Sequence, residues 1–156
     1  MSQIDARLAE LGIELPSVVP PVASYIPAIV SGSLVFTSGQ LPMVAGSLPA
    51  TGKVGDGDGL VSADEARALA RQAALNGLAA VKAVIGSLDR VTHVVKVVGF
   101  VASDPSFTGQ PGVINGASDV LAEIFGDIGV HSRSAVGVAV LPLDSPVEVE
   151  LIVSFA

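Results

Sequence analysis

The chain reads as an α+β fold: one mixed sheet with two main helices packed on one face. Three observations lead there. Short β-branched, apolar runs alternate with two long stretches of helical periodicity. Turn signals at Ser31-Gly32-Ser33 and at residues 142–146 imply hairpins, and hairpins require antiparallel neighbours. The resulting order is strand, strand, helix, strand, helix, strand, strand, after a short leading helix.

The leading helix starts at Ser2, which can cap it, places Ile4, Leu8 and Leu11 on one face and stops at Gly12. Prolines at 16, 20, 21 and 27 then hold the backbone extended. Residues 29–37 form two strand pieces around the Ser-Gly-Ser turn, and TSGQLP, residues 37–42, leads out of the second. Residues 44–59 are Gly-rich, acidic and unpatterned, as a surface loop would be. Ser62-Ala63-Asp64-Glu65 has capping-box spacing, and Ala66, Leu69, Ala70, Ala73, Gly77, Val81 and Val84 follow at helical intervals as far as Gly86. Small residues on that stripe would let the helix lie close to a sheet. Residues 91–101 are apolar at nearly every position, the pattern of a strand covered on both faces. A second helix spans 111–125 and ends at Gly126. Strands 133–141 and 147–155 then form a hairpin around residues 142–146.

Composition sets the class. With 156 residues, half of them hydrophobic, and a mean hydropathy of +0.67, the chain can bury a full core. One domain over residues 1–156 is expected, with 1–15 as an N-terminal helical extension. The most apolar long stretch, residues 66–86, still carries Arg67, Arg71, Gln72, Asn76 and Lys82, so no membrane span is expected. Asp5, Arg7, Glu10 and Glu14 interrupt the first fifteen residues where a signal peptide needs an apolar run, which makes cytoplasm the expectation. A net charge of −7 with no basic run argues against nucleic acid as a partner. Cysteine is absent, which removes disulfides, thiolate nucleophiles and sulfur-ligated metals. His93 and His131 are far apart and in no metal-binding spacing, so no metal is expected. GDGDG at residues 55–59 fails the EF-hand pattern, because Leu60 and Val61 occupy the third ligand and glycine positions.

The richest functional clue is SRSAVGVAVLPLDSPVEVE, residues 132–150. It sets Arg133 at the head of an apolar strand and Glu148 and Glu150 on the strand that returns. Fixed charges among apolar neighbours suggest a site rather than solvation. On the last strand, Val147, Val149, Leu151, Val153 and Phe155 share one face and Glu148, Glu150, Ile152 and Ser154 the other. Helices on one side only would leave a broad apolar sheet face, which self-association would cover. With a four-residue hairpin loop, Glu148 would face Ala139, on the order of 20 Å from Arg133. A pocket using both residues would then have to lie between subunits.

The blocks resemble the Rid family, the YjgF-like reactive-intermediate deaminases also called L-PSP endoribonucleases. They run in family order from Tyr25 to Glu150: Tyr25, TSGQLP, Asn115 in the second helix, Arg133-Ser134, Leu141-Pro142 and Val147-Glu148-Val149-Glu150. The resemblance implies a chorismate-mutase-like fold, a homotrimer with three pockets between subunits, and hydrolysis of enamine and imine acids to 2-oxo acids and ammonia without a cofactor. It further implies Arg133 as the carboxylate-binding arginine, Glu148 as the acid near the water, Ser38 and Gly39 as the pocket loop, and Tyr25 and Asn115 as pocket residues. Ala135 stands where many members have Cys, and Gly137 where Glu is frequent, which changes the pocket wall.

Each residue also has a plainer reading. Arg133 could pair with Asp127, Glu148 or Glu150 at a subunit seam. Ser38 could be a turn former, Asn115 a backbone-ordering residue, Tyr25 a packing residue and Glu150 a structural partner. His93 reads as a core or interface histidine and His131 as a solvated loop residue near the pocket. Two other function classes stay open: a non-catalytic trimer that binds small carboxylates, and an RNA-cleaving protein, for which the sequence offers no cationic surface.

Overall fold

The computed structural model describes residues 2–18 and 24–156; the prolines at 20 and 21 lie outside them. The elements are α1 (Gln3–Glu10), β1 (Ala28–Ser31), β2 (Leu34–Thr37), α2 (Ala63–Ile85), β3 (Val91–Ala102), α3 (Gln110–Phe125), β4 (Ser132–Val138) and β5 (Val147–Phe155). The capping signals set the helix starts: Ser2 Oγ accepts from the Asp5 amide at 3.0 Å and Ser62 Oγ from the Glu65 amide at 3.2 Å. Gly86, at φ +84°, ends α2. Helix α1 is tied down rather than trailing. Its Gln3 and Ile4 amides donate to the Asp89 carboxylate at 2.9 and 2.7 Å, and Lys82 pairs with Asp5 at 2.8 Å.

The five strands form one mixed sheet in the order β1-β2-β5-β3-β4. Every neighbouring pair is antiparallel except β3 and β4, which run parallel with α3 as the crossover. Helices α2 and α3 cover one face, and the core lies between. Val94, Val97, Val101, Val147, Val149 and Val153 are fully buried there against Leu78, Val81, Ile114 and Leu121. The small residues on the helices act as expected. A Cβ at Gly77 would run into Leu151 and one at Gly116 into the Arg67 carbonyl, so α2 lies directly on β5 and α3 directly on α2. Val84, expected on the buried stripe, is 42% exposed, and the adjacent Ile85 is buried in its stead.

Two sequence expectations are corrected. The last two strands are antiparallel in direction but are not a hairpin, because β3 lies between them and bonds to both: Val97 pairs with Arg133 on β4 and with Leu151 on β5. A twelve-residue apolar strand can satisfy two neighbours, and only a central position gives it both. The connection across the end of β3 is held by Ala102 N donating to Pro146 O at 2.9 Å and Ser103 N donating to Val138 O at 3.0 Å. β3 is also covered on one face only within the chain: Val95 and His93 are exposed on the other, so His93 is not a core histidine. The loop over 44–59 is less free than its composition suggested. Val54 is fully buried and its amide donates to Ala102 O at 2.7 Å, which docks the middle of the loop on the end of β3.

Candidate functional site

Arg133 is the second residue of β4, an edge strand, and its side chain turns toward α3. Its Nη1 donates to Asn115 Oδ1 at 2.8 Å and to Ser118 Oγ at 3.1 Å, and Nη2 donates to the Pro111 carbonyl at 3.3 Å. Positions 111, 115 and 118 fall on one stripe of α3 by helical spacing, so a single face of that helix holds the guanidinium. All three acceptors are uncharged. Among the described residues no carboxylate pairs with Arg133, whereas Arg67, Arg71 and Lys82 each have one. Of its five N–H bonds, Nε–H and one on Nη2 have no acceptor among the described residues. These neighbouring donors suit the two oxygens of one carboxylate.

Ser118 also contacts His131, whose Nε2 lies 2.9 Å from its hydroxyl, and His131 Nδ1 lies 2.6 Å from Gly129 O. His131 is thus a bonded, half-buried residue of the site and not a solvated loop histidine. Neither Ser118 nor the His131 contact was recognised from the sequence. The available signal was the i, i+3 spacing of Asn115 and Ser118 on the helix that precedes the arginine.

Glu148 belongs to a second group. It lies on the face of β5 away from the helices, opposite Phe100 of β3. Its carboxylate packs directly on Gly39, where any Cβ would overlap it. Burial, and after it the charge of Glu150, raises the Glu148 carboxyl above the ordinary carboxylate range. Ser38 is held beside Gly39: its amide donates to Pro27 O at 2.8 Å and its hydroxyl to Ile26 O at 2.6 Å. This ties the segment that carries Tyr25, itself 49% exposed, to the same corner.

The fold therefore brings Asn115 to Arg133 and brings Ser38 and Gly39 to Glu148, but it keeps the two groups apart. Arg133 points to the helix side of the sheet and Glu148 to the open side, at β3 positions Val97 and Phe100. Their backbones are on the order of 14 Å apart, two strands across and three residues along. This replaces the larger separation expected from a hairpin. Gly137, on the Arg133 side of β4, leaves room for Gln110, whose amide nitrogen lies where a side chain would be and donates to Phe107 O at 2.8 Å.

Two further features bear on the site. A groove of about 300 Å³ between α2 and α3 is spanned by the Arg67–Asp119 and Arg71–Glu123 ion pairs and is lined by neither the Arg133 group nor the Glu148 group. Among the described residues no group of three or more His, Asp or Glu is placed to hold a metal, and no helix is long and apolar enough to cross a membrane.

The family described as "YjgF/chorismate mutase-like, putative endoribonuclease" matches residues 5–155. The chain belongs to this family. Its mixed five-stranded sheet with three helices is the YjgF/chorismate mutase-like fold. Protein TCP17 of Trypanosoma cruzi is 43% identical over 152 residues, covering 97% of this chain and 93% of that one. Among solved structures, the protein Atu1372 of unknown function from Agrobacterium tumefaciens is 44% identical at a TM-score of 0.89, over 98% of this chain and 92% of that one. A "putative endoribonuclease" from Shewanella oneidensis MR-1 is 35% identical at a TM-score of 0.92, over 99% and 100%.

Proposed function

We propose that the protein is a cytoplasmic, cofactor-independent hydrolase that converts reactive 2-enamine and 2-imine acids to 2-oxo acids and ammonia, working as a homotrimer. The observation that carries this reading is Arg133: a half-buried guanidinium with no acidic partner among the described residues and two adjacent N–H groups left over for a carboxylate. The pocket is completed between subunits. Arg133 and Glu148 lie on opposite faces of one sheet, so a substrate small enough to need both must take Glu148 from another copy. The exposed apolar face, with Ile29, Phe36 and Val136, and the open edge of β4 are surfaces that such an assembly would cover.

The chemistry is hydrolysis of a carbon–nitrogen double bond. Arg133 holds the substrate carboxylate, assisted by Asn115, with Tyr25, Ser38 and Gly39 lining the opposite wall. Glu148 takes a proton from water as its oxygen bonds to the imine carbon, and the π electrons move to nitrogen. Return of that proton to nitrogen gives a carbinolamine; transfer of its hydroxyl proton to nitrogen through Glu148 then lets the carbon–oxygen double bond form as the carbon–nitrogen bond breaks, releasing ammonia and leaving the 2-oxo acid. A carboxyl held above its ordinary range by burial suits this exchange in both directions.

Freshly generated 2-iminopropionate or 2-iminobutyrate, followed by semicarbazide trapping, tests the reading. Imine loss should accelerate with the wild type and fall to the buffer rate with Arg133→Ala. Equal rates in all three would sink the enzymatic proposal. One observation favours a second reading, a non-catalytic binder of small carboxylates: the anion grip is complete within one chain, whereas the acid is not. Glu148→Gln separates the two, since an enzyme loses turnover with binding retained and a binder has no turnover to lose.

A further inference from the structure

The contacts behind Arg133 permit only one proton arrangement for a neutral imidazole. A guanidinium donates and cannot accept, and a carbonyl oxygen accepts and cannot donate. His131 Nδ1, 2.6 Å from Gly129 O, must therefore carry the ring hydrogen. That leaves Nε2 as the acceptor, so the Ser118 hydroxyl donates its hydrogen to the ring across 2.9 Å. The Ser118 oxygen is then turned with its lone pairs toward Arg133 Nη1, 3.1 Å away. We propose that Ser118 and His131 are positioning residues which, through this directed chain of hydrogen bonds, fix the plane of the Arg133 guanidinium for a substrate carboxylate. The inference rests on the carboxylate-binding reading of Arg133 given above.

The physical need is specific. Asn115 Oδ1 alone would hold one Nη1 hydrogen and let the fork swing about that contact. Ser118 takes the second Nη1 hydrogen and Pro111 O one from Nη2, so three acceptors on one helix define a plane. A free serine hydroxyl could rotate and present its own hydrogen to the guanidinium, which would repel it. His131 removes that freedom by claiming the hydrogen, and Gly129 O in turn fixes the tautomer of the ring. The remaining donors on Nε and Nη2 then face one direction, the condition for a planar, two-point grip on an acid. Sequence places the parts economically: His131 is two residues before Arg133, and Ser118 is one helical step from Asn115.

Long-range proton–nitrogen correlation spectra of the wild-type protein read the His131 tautomer directly. Nδ1–H with a bare, hydrogen-bonded Nε2 is expected, and an Nε2–H tautomer overturns the relay whatever else is observed. Binding of 2-oxobutyrate to the wild type and to Ser118→Ala, Ser118→Thr, His131→Phe and Arg133→Ala gives the second readout. Ser118→Ala and His131→Phe should weaken binding about fivefold, the loss of one hydrogen bond, while Ser118→Thr, which keeps the hydroxyl, stays within about twofold of wild type. If Arg133→Ala abolishes binding and Ser118→Ala does not weaken it, the positioning role is wrong and the carboxylate grip stands. If Arg133→Ala binds as the wild type does, the grip itself is wrong and the role assigned to the relay falls with it.

Discussion

The two faces of the sheet obey the same alternation and end in different states. On the helix side, Val97, Val149, Leu151 and Val153 are at most 1% exposed, closed over by α2 and α3. On the other side, Ile29 at 56%, Phe36 at 37% and Val136 at 45% stay open, beside Glu148 and Glu150. One face is a finished core. The other joins apolar side chains to acids near Gly39, a mixture suited to an interface that also carries chemistry. The difference separates stability from function: residues of one strand, a single position apart, should fail in different ways when changed.

Core truncation should give the largest effect. Leu151→Ala removes a side chain that is 1% exposed and packs on Gly77, and should cost about 3 kcal/mol in chemical denaturation. The matching change on the open face, Phe36→Ala, should leave unfolding of dilute protein nearly unchanged but lower the mass measured by light scattering. If Phe36→Ala is as damaging as Leu151→Ala in protein already dissociated, the contrast between the faces is false. Next comes Gly39→Ala, whose Cβ would meet only the end of the Glu148 side chain and push that carboxylate aside, at about 1 kcal/mol. Combined with Glu148→Ala the loss should largely vanish, a coupling that a double-mutant cycle measures.

A smaller effect follows from Glu148 itself. Its carboxyl is raised by burial and then by the charge of Glu150, so the folded state holds the proton to higher pH than the unfolded state does. Stability from this group is therefore fully present in acid and is lost as pH rises through its folded value. Glu148→Gln should melt above wild type near neutrality and converge with it at about pH 4. A variant that melts lower instead would reveal a cation from another copy facing this carboxylate. Smallest of all, Leu143, exposed with φ +58° in the turn before β5, should gain stability by up to about 1 kcal/mol on substitution by Asn, which tolerates that conformation better.

Much of the fold was legible in the sequence because its signals are local. Ser62 to Glu65 states where α2 begins and Gly86 where it ends, and the Ser31-Gly32-Ser33 turn marks the β1–β2 hairpin. Strand pairing was not legible at the C-terminal end. The turn over 142–146 reverses the chain whether or not a third strand lies between the arms, and nothing in it reports β3. The site divided along the same line. Ser38-Gly39 and Asn115 were read from motif order, and the fold does set them against Glu148 and Arg133 respectively. Ser118 and His131 meet only because the turn at 126–129 folds back beneath α3, where Gly129 approaches the Leu121 carbonyl too closely for any side chain. No pairwise spacing encodes such an approach.

The position of β5 has a further consequence. Among the described residues, the pair β1-β2 and the pair β3-β4 share no strand contact, and β5 is the only strand that touches both. Without residues 147–155 in place, β2 and β3 have no common partner and the inner edges of the two pairs stay unmated. Closure of the sheet therefore waits on this one segment. A cut in the link just ahead of Val147 would release the keystone rather than trim a tail.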